Sequence, residues 1–588
     1  MITARGSRRR LTLALVAVFV VIVVFGVRLV DIQVVRAETL STIAGSNYTS
    51  ATIWGTRGSI VDANGTVLAT SVDRFNITAS PKLVDLAGFQ RVEKVDGENK
   101  RVDVSFSDAV NEIAQLTGAD IQQLTTALTS DPDSDFVYLV KSVKLDVFRA
   151  VTALRIPWVY SEPQPARSYP NGAIAGNLVG LMGTDGALSG TELKWNECLA
   201  STNGTTEYAY SADGVRMPGS EVVETPAVDG GTVHLTIDAD LQWFAQQALA
   251  EQGTAIGARW GTAMVVEVKT GRIVAAADWP SIDPNDLNSA SADDSGSRIF
   301  TAPYEPGSLI KTATVAGMLD AGVITADTQL TVPSAYYIGK DVIHDSWAHD
   351  AVNYTVAGIL VNSSNIGIGM LTERQPLADR IDYLKAFGFG SPTGADFLGE
   401  EAGTVHGVDS TDPVTAVTQQ FGQGMTATSA QVMSMYQTIG NHGVRIPLTL
   451  VDGCEHPDGS YTAAPTPEGE RVVSQYAADT TVNILENVVT NYHLGPTLSV
   501  PGYRIAAKSG TAEVAAGGRY TSDRIVSVAG LLPADDPQYA IDVTFAFPTT
   551  IKSSRAAAPT FHALAEQVIK TFRVPPSTEP APSIPLTW

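Results

Sequence analysis

The residues best suited to covalent chemistry lie in one short run, Tyr304-Glu305-Pro306-Gly307-Ser308-Leu309-Ile310-Lys311-Thr312. Pro306-Gly307 predicts a turn, and the apolar positions after it (Leu309, Ile310, Ala313, Val315, Met318, Leu319) suit a buried helix. Ser308 then falls at a helix N-terminus, where free N–H groups and the helix dipole favour negative charge. Lys311, three residues on, shares its face and can reach the serine hydroxyl. A lysine removed from water gives up its proton readily, so a neutral Lys311 can take the Ser308 proton. That is nucleophile activation without histidine. A lone S-x-x-K arises by chance about once in a chain of this size, and its plain alternative is a solvated or capping pair. Lysine is scarce here: of 13 in the chain, only Lys311 has a serine three positions earlier.

Two further pieces follow in order. Ser363-Ser364-Asn365 comes after the apolar segment Val356 to Val361, and Lys508-Ser509-Gly510-Thr511 ends the strand-like run Tyr503 to Ala507. Order excludes the decoys. Lys269-Thr270-Gly271 precedes Ser308 and sits in a predicted hairpin turn, and Ser201-Thr202-Asn203 falls in the N-terminal region. Both read as structural.

The elements that must position these groups begin at the N-terminus. Leu11 to Val27 is uncharged and apolar, preceded by Arg5, Arg8, Arg9 and Arg10 and closed by Arg28. Its length reaches the lower limit for a membrane-spanning helix, and the arginines predict a cytoplasmic N-terminus. A cleaved signal peptide is the alternative, with Val35-Arg36-Ala37 as a poor cleavage match; the length of the run favours a retained anchor. Arg57 to Ala69 reads as a hairpin around Asn64-Gly65. Residues 101 to 155 carry helical periodicity, Gly172 to Gly214 is Gly-rich, and Pro218 to Gly231 reads as a connection between domains. Beyond it a strand is expected at Leu235 to Ile237 and a helix at Leu241 to Glu251, started by Asp238 or Asp240. Strands at Met264 to Val268 and Ile273 to Ala277 complete the pattern. Strands at both ends of a helical middle predict an α/β or α+β domain. Pro575 to Pro585 reads as a flexible tail.

Composition narrows the function classes. The net charge of −23 argues against a nucleic-acid binder, which needs clustered Lys and Arg. Two cysteines exclude a disulfide framework and a Cys-rich zinc module. Cys198 and Cys454 fall in different predicted domains, so they read as two free, partly buried thiols, with a disulfide left open. His344-Asp345 and His349-Asp350 could suggest a metal, but their spacing does not bring both imidazoles to one helical face. A solvated loop or a supporting role is the reading, and neither a metal nor another cofactor is expected. No phosphate-cradling Gly-rich loop followed by Lys-Ser or Lys-Thr occurs.

S-x-x-K, S-x-N and K-[ST]-G in this order resemble penicillin-binding proteins and serine β-lactamases. Arg57-Gly58 with Asp62-x-Asn64-Gly65, Arg167-Ser168-Tyr169-Pro170 and Gly190-Thr191-Glu192 resemble three motifs of the class B non-catalytic domain, with Ala63 where that family usually has arginine. Phe421-Gly422-Gln423-Gly424 and Ala529-Gly530-Leu531-Leu532-Pro533 resemble further segments of its catalytic domain. Over nearly its whole length the sequence thus resembles a class B penicillin-binding protein, a peptidoglycan D,D-transpeptidase, and more the cell-division than the elongation branch.

The resemblance implies an α+β multidomain protein. Its parts would be a cytoplasmic tail (1–10), a transmembrane anchor (11–30), a β-rich non-catalytic pedestal (31–228), a transpeptidase domain with a central antiparallel sheet (229–574) and the flexible tail (575–588). It implies Ser308 as nucleophile, Lys311 as general base, Ser363 and Lys508 as a proton relay, and Asn365 as a holder of the substrate amide. The backbone N–H groups of Ser308 and Thr511 would form the oxyanion hole, and Ser509, Gly510 and Thr511 would receive the terminal carboxylate. Implied partners are peptidoglycan stem peptides, β-lactam antibiotics, a membrane glycosyltransferase and division proteins. The competing functions are an elongation-type transpeptidase, a D,D-carboxypeptidase or β-lactamase, and a non-catalytic β-lactam sensor or scaffold. The intact motif residues count against the scaffold, and the long pre-catalytic region counts against the hydrolases.

Overall fold

A run of apolar residues lies near the N-terminus. In the computed structural model, which describes residues 4–36, 48–95, 98–183, 185–209, 219–286, 291 and 294–588, it forms the helix Ala4–Val30. Leu11–Val35 is, among the described residues, the one stretch of helix long and apolar enough to cross a membrane. Its large side chains, such as Phe19 and Phe25, stand exposed.

The chain divides into two units that interleave in sequence. The first comprises Met1–Thr56, Phe75–Gln164 and Ser201–Asp229. Its strands Phe75–Ala79, Val137–Val143 and Val159–Pro163 form an antiparallel sheet centred on Phe75–Ala79. Helices Phe106–Thr117 and Ile121–Thr129 start where Ser105 and Asp120 accept from the free N–H groups of Asp108 and Gln123. Their apolar stripes put Val110, Ile113, Leu124 and Leu128 against Trp158 in a small core. A second three-stranded sheet joins Tyr48–Ile53, Gly204–Ala209 and Val222–Thr225.

The second unit comprises Arg57–Arg74, Pro165–Ala200 and Gly230–Trp588. At its centre is a five-stranded antiparallel sheet in the order Ile273–Trp279, Trp260–Glu267, Tyr539–Ala546, Arg519–Leu532, Ala506–Ala516. The inner strands are covered on both faces and so read as continuous apolar runs. Alternation decides which layer each residue meets. Val265, Ile541 and Val543 face helices Ala239–Ile256 and Ala558–Phe572, packing with Leu241, Leu249, Phe561 and Leu564. Met264, Val266 and Ala540 face the other way, in the cluster of Ser429–Gly440 and Lys311–Asp320.

A six-stranded sheet in the same unit runs Tyr461–Ala463, Val451–Glu455, Thr232–Leu235, Ile60–Val61, Val67–Val72, Ala166–Ser168. The hairpin expected at Arg57 to Ala69 forms its Ile60–Val61 and Val67–Val72 pair. Asp62 organises the turn: one carboxylate oxygen accepts from Asn64 and Thr66 N–H, and the other accepts from Ala239 N–H at 2.9 Å, at the start of helix Ala239–Ile256. The motif thus ties a hairpin to a helix far along the chain.

Two expectations are corrected. Cys198 and Cys454 form a disulfide, with a Cα–Cα distance of 6.2 Å. Pro165–Ala200 belongs to the second unit, so the cysteines do not lie in separate bodies. Val233 pairs with Cys454, Gly231 N–H donates to the Cys198 carbonyl, and a side chain at Gly231 would meet both sulfurs. The Pro-rich tail also does not hang free. Thr355 donates its hydroxyl to the Pro585 carbonyl and its N–H to the Leu586 carbonyl, while Asn487 holds the Pro582 carbonyl. Ile584 and Leu586 pack on the core.

Candidate active site

The serine run folds into a single 3₁₀ turn, Gly307–Leu309, followed by helix Lys311–Asp320, so Ser308 precedes the helix proper. Gly307 has φ +55°, and Gly422 crosses it so closely that a Cβ there would lie 2.1 Å from the Gly307 carbonyl oxygen. Gly307 N–H donates to the Gly422 carbonyl at 3.0 Å. The Phe421-Gly422-Gln423-Gly424 segment therefore clamps the backbone beside the serine. From the other side comes the edge strand Ala506–Ala516. A Cβ at Gly510 would lie 3.1 Å from the Leu309 side chain and 2.3 Å from Ser527 Oγ, which explains glycine there.

Helix Lys311–Asp320 is buried almost throughout, and Lys311 with it: its side chain is fully out of solvent. Its Nζ donates to the Ser363 carbonyl at 2.5 Å and to Asn365 Oδ1 at 2.7 Å, and lies 3.3 Å from Ser363 Oγ. The sequence placed Lys311 on the face of Ser308; its described hydrogen bonds go to Ser363 and Asn365. Lys508, equally buried, donates to Ser363 Oγ at 2.9 Å and to the Ser509 carbonyl at 3.1 Å. Two amines thus converge on one hydroxyl. Burial lowers Lys508 from 10.5 to about 7. Burial first, then the neighbouring Lys508 charge, holds Lys311 well below the ordinary lysine value, with Asp345 acting in the opposite direction.

Ser363 follows helix Val356–Val361 and adopts φ +56°, a left-handed conformation uncommon for serine. That turn points its carbonyl and hydroxyl at the lysines. Ser364 then caps helix Asn365–Thr372 by accepting from Gly367 N–H at 2.8 Å. Ser308, Ser363, Asn365, Ser509 and Thr511 line one cleft of about 450 Å³, which His344, Asp345, Phe421 and Gln423 also border. Thr511 continues the edge strand beside Gly307, whose added Cβ would lie 3.4 Å from the Thr511 carbonyl.

The sequence reading left several cleft residues unassigned. Tyr492 and the ion pair Glu513–Arg524, at 2.7 Å, border the cleft without any motif of their own. Asp345 was read as part of a solvated or supporting loop; its carboxylate is fully buried beneath Ser364 and Asn365. Among the described residues, no group of three or more His, Cys, Asp or Glu side chains could hold a metal ion.

Chemically, the arrangement offers a half-exposed hydroxyl at Ser308, two amines that shed their protons easily, and backbone N–H groups at a strand edge. Those are the parts of a serine acyl-transfer site. The known proteins agree with that class. Residues 261–566 match the penicillin binding protein transpeptidase domain, and residues 52–235 match the penicillin-binding protein dimerisation domain.

Penicillin-binding protein PbpB of Mycolicibacterium smegmatis is 34% identical over 592 aligned residues, covering 97% of this chain and 91% of the relative. Peptidoglycan D,D-transpeptidase FtsI of Escherichia coli K12 is 29% identical, covering 88% and 84%. Among solved structures, a peptidoglycan synthetase from Bifidobacterium adolescentis superposes with a TM-score of 0.72 at 30% identity, covering 92% of this chain and all (100%) of the other. Penicillin binding protein 3 of Mycobacterium tuberculosis, complexed with aztreonam, superposes with a TM-score of 0.68 at 28% identity, covering 90% and 98%. The chain belongs to the penicillin-binding protein transpeptidase family.

Proposed function

We propose that the protein is a peptidoglycan D,D-transpeptidase of septal wall synthesis, in which Ser308 carries the acyl group. The observation that carries this reading is the convergence of two fully buried lysines on Ser363 Oγ, in the cleft that Ser308 lines. Neutral Lys311 accepts the Ser308 hydroxyl proton as Oγ attacks the carbonyl between two D-alanines of a stem peptide. The Oγ–C bond forms, the oxyanion is held by the N–H groups of Ser308 and Thr511, and the C–N bond to the terminal D-alanine breaks. Ser363 and Lys508 pass a proton to the leaving amine. Asn365 holds the substrate amide, and Ser509, Gly510 and Thr511 receive the terminal carboxylate. An amine of a second stem peptide then attacks the ester, its N–C bond forms, the Oγ–C bond to Ser308 breaks, and the proton the amine sheds returns to Ser308 Oγ.

A β-lactam presents a strained amide to the same serine and leaves it as a stable ester. The apolar helix anchors the chain, and the arginines before it set the N-terminus in the cytoplasm and the cleft outside. A membrane glycosyltransferase that makes the glycan strand, together with division proteins, is the expected company.

The test is to incubate the full chain in detergent micelles with a fluorescent penicillin. The expected result is a lasting adduct on the wild type and none on Ser308→Ala. Rapid turnover of the label would make the protein a β-lactamase, and no adduct on either would refute the acyl-enzyme reading.

A further inference from the structure

The loop before the S-x-N motif carries a carboxylate that the acyl-transfer steps above leave unused. The Asp345 side chain is fully buried and its contacts are all specific. Oδ1 accepts from Asn365 N–H at 2.5 Å and Ile366 N–H at 3.0 Å. Oδ2 accepts from the Ser364 hydroxyl at 2.7 Å and lies 3.1 Å from His349 Nε2. The other ring nitrogen of His349 lies 2.6 Å from the Asp350 carbonyl oxygen, and the His349 side chain is itself only 8% exposed. Asn365 donates its side-chain N–H to the His344 carbonyl at 3.2 Å, so the loop grips the motif residue by side chain and backbone together.

Two consequences follow from that geometry. Left-handed backbone at a serine persists only where its surroundings over-determine it. The three residues after Ser363 are all bonded to Asp345, which fixes the exit of the Ser363 turn. The same bonds orient Asn365, whose Oδ1 accepts from Lys311. The Asp345 charge also acts on the buried Lys311 amine, against the effects of burial and of Lys508.

We propose that Asp345, backed by His349, is a positioning residue for acylation: it locks Ser363 and Asn365 onto Lys311. The inference rests on the reading of Lys311 as general base. The groups facing Lys311 are Lys508 from the edge strand, Ser363 and Asn365 from the turn, and the Phe421 ring at 5.8 Å from Nζ. Asp345 acts from the loop, with His349 and Tyr354 beside it. Because the Asp345 charge opposes burial and Lys508 at Lys311, its removal lets the Lys311 amine lose its proton at still lower pH.

The experiment compares Asp345→Asn with the wild type as full chains in detergent, measuring fluorescent-penicillin acylation against probe concentration and pH. The expected result is a limiting acylation rate lowered on the order of 100-fold, with a half-saturating probe concentration close to wild type. The pH at which the rate is half lost on the acid side moves downward. Ser364→Ala, which removes a cap and leaves the charge, should lower the melting temperature and leave that pH in place.

If Asp345→Asn does not fold, Asp345→Glu replaces it. Its kept charge should leave the acid-side midpoint at the wild-type pH while the longer arm slows the rate. A wild-type rate and profile in Asp345→Asn, or a midpoint that shifts in Asp345→Glu, overturns the proposal. Absence of label on the wild type would instead sink the acyl-enzyme reading itself.

Discussion

Two buried clusters in the same unit handle charge in opposite ways. In one, Glu192, with a fully buried side chain, accepts from Arg57 Nε at 2.8 Å and Arg167 Nε at 2.6 Å. Arg57 also reaches the Glu192 carbonyl and Asn196 Oδ1, and Arg167 Nη1 reaches the Gly58 carbonyl, while Arg167 Nη2 is buried without a hydrogen-bond partner. In the other, Lys311 and Lys508 share one hydroxyl, and the described hydrogen bonds of neither amine go to a carboxylate. Opposite charges joined by charge-assisted hydrogen bonds hold three chain segments together. Like charges out of water cannot both stay ionised, so the lysines are driven toward the neutral amines that proton transfer needs. The first cluster is scaffold and the second is machinery, although each is a set of buried ionisable groups.

Substitutions can break this contrast at either end. The largest effect is expected for Lys311→Met, which keeps the volume and removes the amine. The acylation rate of Ser308 should fall about 10³-fold, while the melting temperature holds or rises because a buried amine has been replaced by an apolar chain. A fall in melting temperature matching the loss of rate would mean that Lys311 is structural. A smaller effect of the opposite kind is expected for Glu192→Gln. It strands two guanidinium groups in the interior and should reduce stability by about 3–5 kcal/mol in urea denaturation. The acylation rate per folded molecule should not change. A specific loss of rate at full stability would place the Glu192 cluster in the chemistry and erase the distinction.

What could be read from the sequence, and what could not, divides along contact range. The S-x-x-K, S-x-N and K-S-G motifs were legible because order along the chain and the scarcity of lysine are properties of the string. So was the hairpin at Asn64-Gly65, which is local turn chemistry. The Cys198–Cys454 bond was not, because it depends on Val233 pairing with Cys454 in a sheet whose strands come from distant stretches. The Pro-rich tail gave no core pattern, yet its backbone carbonyls satisfy Thr355 and Asn487. Gly358 makes room for it, since a Cβ there would lie 1.9 Å from the Leu586 carbonyl oxygen. Asp345 was read only as part of a solvated or supporting loop, because its partners are backbone N–H groups and a hydroxyl of the motif it supports, and composition or spacing does not mark such bonds. Lys311 was found from its spacing to Ser308, but its hydrogen bonds to Ser363 and Asn365 were not, because they depend on a turn brought in from 52 residues along the chain.

Burial beside Lys508 makes Lys311 a base well below the ordinary lysine range. The direct measurement is the rate of penicillin acylation of the full chain in detergent across pH, with Lys311→Met as reference. A neutral Lys311 is required, so the rate must be lost as pH falls through its value in the folded protein. This loss is expected well below 10.5, the ordinary lysine value, with the dependence abolished in Lys311→Met. A rate that keeps climbing until pH approaches 10.5, or an unchanged profile in Lys311→Met, would contradict it.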